Sequence, residues 1–231
     1  MRRMILWATL MLFAITNAVA STHHNNESVV TKEYHLSGFT GLRNDHAVTV
    51  HYTQGSSFSV KAEGSEKQIE RLKIEVKDGM LVVSHDQKDK KGYNEKNTLS
   101  LYITSPDMNC LENKGVLNFE TETLKTGDFN LTSSGVLRID VTDLSCADAE
   151  FNLKGVSKLD IEIEAKTLKM NDSGVTNGDL KVKADQLDID SKGVDSTDID
   201  YKGKEAKVRR VVQAPLPWMW IANVWMPPTL A

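Results

Sequence analysis

Tryptophan is missing between residues 21 and 210, which removes the flat side chains on which sugar rings commonly stack. Arginine is nearly as scarce: Arg138 is the only one between residues 72 and 208, and no basic block is present to track phosphates, so nucleic acid is not an expected partner. Cysteine occurs twice, at Cys110 and Cys146, too few for a disulfide scaffold. No Gly-Lys-Ser phosphate loop and no Gly-x-Ser-x-Gly elbow occurs, and the paired serines suit turns better than nucleophiles. After Ile15 no apolar span follows before residue 210.

What is present begins with Arg2-Arg3, an apolar stretch from Met4 to Ile15, and the small-residue run Ala18-Val19-Ala20. That order is a signal peptide over residues 1–20, and its apolar core is well short of the roughly 20 residues that cross a bilayer. Export is expected, to the periplasm, the outer membrane, the cell surface or the medium. No Cys follows Ala20, so lipid attachment at a mature N-terminal cysteine is not expected. Without Arg2 and Arg3 the chain keeps 26 basic against 32 acidic side chains, a formal charge of −6. Residues 21–36 read as a linker.

From Tyr34 to Thr104 apolar and polar residues alternate, as in Val48, Val50, Tyr52 and in Leu99, Leu101, Ile103, and period two means half-buried strands. Gln54-Gly55-Ser56 and Lys77-Asp78-Gly79-Met80 read as turns, Asp-Gly supplying the positive φ of a tight hairpin, so these strands are expected to pair locally. Ser65 with Gln68 resembles a capping box, and Ile69 with Leu72 gives an apolar face, which predicts one short helix over 65–72. The charged stretch 88–97 reads as a solvated loop. All six histidines, His23, His24, His35, His46, His51 and His85, precede residue 86. Their spacing does not make a metal site, since His46 and His51 face opposite sides of a strand. No metal and no cofactor is expected.

From residue 108 a unit recurs. Gly-Val stands at Gly115, Gly135, Gly155, Gly174 and Gly193, at steps of 20, 20, 19 and 19 residues. Four residues before each Gly the side chain is apolar: Leu111, Leu131, Phe151, Met170, Ile189. Six before, in the last four copies, it is Phe129, Ala149, Leu168 and Leu187. A unit of this length cannot bury its apolar face alone, so copies must stack, each adding about 4.8 Å along an axis. A β-sandwich also has regularly spaced strands, but it has no reason to repeat one residue at one offset. The fold expected is all-β: a right-handed parallel β-helix, or β-solenoid, of about 19–20-residue coils over 108–210, preceded by paired strands over 37–107. Gly is expected at a corner of positive φ, with the following Val turning the chain inward. In an exported chain Cys110 and Cys146 could oxidise. The repeat places them almost two coils apart, beyond the roughly 7 Å that a bridge spans, so two free, buried thiols are expected.

Phe39-Thr40-Gly41-Leu42, Val48-Thr49-Val50, Gln54-Gly55, the run from Val76 to Val83 and the repeated Ser-Gly-Val or Lys-Gly-Val corners resemble the head GIN domain family of putative auto-transporter adhesins, over about residues 37–210. The family's corners often read Ser-Gly-x-Gly; here the second Gly is mostly replaced, as in Ser134-Gly135-Val136-Leu137. The resemblance implies an exported β-helical protein of a Bacteroidetes-type cell envelope with an adhesive role.

After Arg210 the character changes. Residues 211–231 carry no charge, four of the five prolines and three of the four tryptophans, and Val212 stands where the repeat calls for Gly. One reading is an apolar cap; the other is a frameshift. Trp and Met have one codon each, and sliding the frame of Trp218-Met219-Trp220-Ile221 back by one base gives Asp-Val-Asp, a solenoid strand.

Three functions fit such a chain. Parallel β-helices host pectate lyases and glycosidases, whose paired carboxylates or calcium-binding acids would have to come from Asp188, Asp190, Asp195, Asp198 and Asp200, with Arg138 as the basic partner. These acids read instead as the solvated outer face of strands, interleaved with Lys181, Lys183, Lys192 and Lys202, and the repeats contribute one tyrosine, Tyr201. No catalytic residue is therefore assigned. A non-enzymatic adhesin or ligand-binding surface protein fits better, its partner a cell-surface molecule or polysaccharide of unknown identity; a structural envelope role is the third reading.

Overall fold

The computed structural model describes residues 28–85 and 99–210. The expected signal peptide, residues 21–27, the loop at 88–97 and the tail at 211–231 lie outside the described residues; the rest of the expected linker is not a linker, since residues 29–34 form a strand paired with residues 60–65. Within them the chain forms fifteen strands and one short helix. In chain order these are β1 (Val29–Tyr34), β2 (Gly41–Asn44), β3 (Ala47–Gln54), β4 (Ser59–Ser65), α1 (Glu66–Arg71), β5 (Leu72–Lys77), β6 (Met80–His85), β7 (Ser100–Ser105), β8 (Cys110–Asn113), β9 (Val116–Lys125), β10 (Asp128–Ser133), β11 (Val136–Ser145), β12 (Asp148–Leu153), β13 (Val156–Asp172), β14 (Val175–Ser191) and β15 (Val194–Arg210).

The repeats stack in parallel and in register, as a β-solenoid. One ladder runs β6, β2, β8, β10, β12 and then the second half of β13; the other runs β7, β3, β9, β11 and the first half of β13. From β13 upward each coil is a single 17-residue strand that serves both ladders, continuing through β14 to β15. Because partners are in register, like positions stand over one another. Leu81, Leu42, Leu111, Leu131, Phe151, Met170, Ile189 and Val208 form one column, and all but Val208 are at most 1% exposed. Phe129, Ala149, Leu168 and Leu187 form the next, also buried. Each fully buried large apolar side chain contributes roughly 1.5–3 kcal/mol, and these shared columns are what a single repeat lacks.

The first half differs from the expected set of local hairpins. Only β5 and β6 pair with their sequence neighbour, through Asp78 (φ 51°) and Gly79 (φ 75°). β3 instead lies parallel to β7 and β9, and β2 lies parallel to β6 and β8, so residues 41–54 are themselves a coil of the stack, with β6 and β7 on its far side. The alternation of β3 could not distinguish a hairpin partner from a parallel one, because both bury one face. β1 and β4 extend the lower end antiparallel beside β7. The helix is as expected: Ser65 accepts from the Gln68 backbone N–H, and the Gln68 side chain accepts from the Ser65 N–H at 2.8 Å.

The corner glycines have a different cause from the one expected. Positive φ among glycines is confined to Gly38, Gly79 and Gly178 in the described residues, so the five corners do not use it. Space decides the residue instead. A Cβ on Gly135 would fall on the carbonyl oxygen of Gly115, and Gly155, Gly174 and Gly193 each meet the carbonyl of the corner below in the same way. Those carbonyls are held there by hydrogen bonds from the next coil's valine: Val136 N–H to Gly115 O at 2.9 Å, Val156 to Gly135 at 3.0 Å, Val175 to Gly155 and Val194 to Gly174 at 2.9 Å. Below the five glycines, Gly115 packs on the backbone of His46, which takes the corner position and stacks its ring on His85 at 4.9 Å. Burial and the neighbouring His85 push the His46 imidazole below its ordinary pKa.

Candidate binding face

Each coil presents outward the residues of opposite phase to its core. On the ladder that follows the corner these form three rows. The first is Val116, Val136, Val156, Val175 and Val194, paired in register and 44–57% exposed. The expectation that these valines point inward is thus corrected: the residue after each is the one that turns in, beginning with Leu117 and Leu137, and strand alternation then forces the valine out. The second row is Asn118, Arg138, Lys158, Asn177 and Ser196; the third is Glu120, Asp140, Asp160, Asp179 and Asp198, continued downward by His51.

The polar rows largely satisfy one another. Lys158 reaches Asp160 at 2.9 Å, Arg138 lies 3.8 Å from both Asp140 and Asp160, and His51 lies 3.2 Å from Glu120. Further along the same ladder Lys183 lies on Glu164 at 2.7 Å and Lys181 on Glu162 at 3.4 Å, and on the other ladder Lys169 lies on Glu150 at 3.9 Å, the signs alternating up the stack. Such exposed pairs are individually worth at most about 1 kcal/mol; they meet the charge of the middle coils, while Asp179 and Asp198 near the upper end carry theirs into solvent. The valine row has no such internal partner. It is the apolar feature that each of the five glycine-cornered coils repeats, while isolated exposed apolar residues elsewhere follow no line.

The five acids weighed for catalysis are not assembled into a site. Asp188 and Asp190 are held by Arg209, at 3.0 and 3.6 Å, and Arg138 sits with Asp140 and Asp160 instead. Asp195 is not on the solvated face: it points inward, 7% exposed, over Thr176 and Ser157, its Oδ1 accepting from the Thr197 N–H at 2.9 Å and its Oδ2 lying 3.5 Å from Arg210. Its inward phase follows from Val194, one residue earlier, pointing out. Asp198 and Asp200 border an open concavity with Asp140, Asp160 and Asp179. Tyr201 is buried and unavailable for stacking, its hydroxyl donating to backbone carbonyls, with Glu205 O at 2.7 Å the shortest. Among the described residues no group of three or more His, Cys, Asp or Glu is placed to hold a metal ion.

Cys110 and Cys146 are free thiols, as expected, but half-buried rather than buried. Partial burial, reinforced by Asp128 and Asp148, pushes the Cys146 thiol up to about 11; burial with Glu112 nearby raises Cys110. Neither supplies a thiolate nucleophile at neutral pH.

A buried polar column went unread in the sequence. Asn44, Asn113, Ser133, Leu153, Asp172 and Ser191 stand in register just before the corners. Asn44 donates to Asn113 at 3.0 Å, Asn113 to Ser133 Oγ at 3.2 Å and to the Val136 carbonyl at 2.9 Å. Asp172 accepts from the Gly174 N–H and the Thr176 hydroxyl, both at 3.0 Å, and from Ser191 at 3.3 Å. The signal was a polar residue two before each Gly in all copies but one.

Fold and face together define a parallel β-solenoid with an exposed apolar edge. The family model described as "Putative auto-transporter adhesin, head GIN domain" matches residues 38–209, and the chain belongs to that family. Similar solved structures include a "putative adhesin" from Bacteroides fragilis (17% identity, 80% of this chain and 98% of that one, TM-score 0.47) and another from Parabacteroides merdae (14%, 81% and 98%, 0.44). A "putative lipid binding protein" from Parabacteroides distasonis is also similar (15%, 81% and 98%, 0.42). No curated protein matches the chain. No helix among the described residues is long and apolar enough to cross a membrane.

Proposed function

We propose that this chain is an exported, non-enzymatic protein of the bacterial cell envelope that binds a repetitive cell-surface ligand or polysaccharide along its valine edge. The observation that carries the reading is that row: five exposed valines in line, spaced by one coil and so about 19 Å long. A ligand whose apolar patches recur along its length can meet all five without either partner rearranging, so each contact adds to the others. Membership of an adhesin family supports the same reading, and the leader-like residues 1–20 support export.

The test is binding of the protein to glycan arrays and to bacterial and host cell surfaces, beside the double variant Val136→Asp, Val156→Asp. Both side chains are about half exposed, so the variant is expected to fold with an unchanged midpoint and to lose binding at least tenfold. Unchanged adherence of the variant would remove the valine edge from the reading. Release of reducing or unsaturated sugar ends from a polysaccharide would replace adhesion with catalysis.

A further inference from the structure

The solenoid ends at β15 among the described residues. Among the described residues β15 pairs with β14 alone, so the other edge of a 17-residue strand offers its backbone unpaired. Nothing among the described residues covers the columns there: Ile199 and Ala206 are only partly buried, and Val208 is 36% exposed. We propose that this edge is the docking surface for one further coil of the same polypeptide, encoded in the reading frame one base back from the frame that gives residues 211–231.

The registers of β13, β14 and β15 fix what such a coil must contain. With the 19-residue step, position 218 stands over Ile199, 220 over Tyr201, 225 over Ala206 and 227 over Val208, all inward; positions 219, 221 and 226 stand over Asp200, Lys202 and Lys207, all outward. The single codons of Trp and Met determine the shifted reading at every one of these. Around Trp218-Met219-Trp220-Ile221 the bases are N TGG ATG TGG AT, which read one base back as NTG GAT GTG GAT: an apolar residue (Leu, Met or Val), Asp, Val, Asp. Around Trp225-Met226-Pro227 they read NTG GAT GCC: an apolar residue, Asp, Ala. All four inward positions become apolar and all three outward positions become Asp.

Positions fixed only in part agree. Position 214 stands over Asp195 and Thr176 in the buried polar side of the coil, and its shifted codon can only be Ser or Gly. Position 229 stands over Arg210, in the column of Ser191 and Asp172 below it, and becomes NAC, one of Asn, Asp, His or Tyr. The corner positions 212 and 231 become NGT and NGC, which both admit Gly. In the frame as it stands the corner at 212 is Val, whose Cβ would fall on the Gly193 carbonyl if the stack continued as it does below.

Sequencing the gene and its transcript across codons 205–231 tests this. The result expected is Gly at 212 and 231 in the shifted frame, with no stop before 231. A stop in that frame, or a bulky residue at either corner, would overturn it. The protein provides a second reading: the chain with the frame restored is compared with the chain as it stands by hydrogen exchange. Restoration is expected to slow the outward-edge amides of β15 at least tenfold; unchanged exchange would count against the proposal. So would a chain as it stands that sediments as an end-to-end dimer and protects those amides, which would assign the edge to a second copy.

Discussion

Gly155 stands in a row where the missing side chain is the whole point, since its Cβ would overlap the carbonyl oxygen of Gly135. That carbonyl is fixed by the Val156 N–H and has nowhere to go. Gly155→Ala is therefore expected to lower unfolding free energy by about 1–3 kcal/mol, the usual cost of overpacking. Gly127→Ala, where a Cβ meets nothing within 4 Å, is expected to change it by less than about 0.5 kcal/mol. Urea unfolding of the two variants measures the difference, and equal midpoints would contradict the spatial account of the corners. The recurrence of Gly was plain in the sequence, but its cause was not. A positive φ and a crowded Cβ both select glycine, and only coordinates tell them apart.

Strands β2 and β8 show what holds one coil on the next at the surface. Arg43 on β2 donates to Glu112 on β8 at 2.6 Å, from positions paired across the ladder. That bond first, then the charge of Arg43, holds the Glu112 carboxyl below its ordinary 4.5. A depressed carboxylate contributes stability that is fully present above pH 4.5 and is lost as pH falls through the lowered folded value. Glu112→Gln is expected to flatten this part of the acid limb: its loss of stability relative to the parent should be seen at pH 6 and should shrink toward pH 3. Thermal midpoints of both proteins over that range check it. The strands themselves were legible from period two, and the helix from its capping box, because both signals are local. Which strands pair was not, since β3 alternates in the same way whether its neighbour is β4 in sequence or β9 across the stack.

At the scale of the molecule, a stack that contacts only its neighbours is stabilised coil by coil, and its end is its weakest part. The amides of β15 that do not donate to β14 are expected to exchange fastest, those of β11 in the middle slowest, with a gradient between them. Hydrogen exchange resolved by residue tests this, and uniform protection from β9 to β15 would show a single cooperative unit instead. The same architecture explains the face. In-register stacking turns one outward valine per coil into a continuous row, so a feature of no consequence in one repeat becomes an edge of five.

The sequence by itself determined the repeat length, the apolar columns and the strand content, because spacing and alternation are properties of the chain alone. It also held the phase of the valine row: Leu159, Ile161 and Ile163 face in, so Val156 three residues before Leu159 must face out. Only the tertiary structure decided that residues 41–54 belong to the stack, that Asp195 is buried, and that the corners are glycine for want of space. Each of these depends on what lies one coil below, at a distance of about twenty residues or more in sequence but roughly 4.8 Å in space, and no local pattern carries that information.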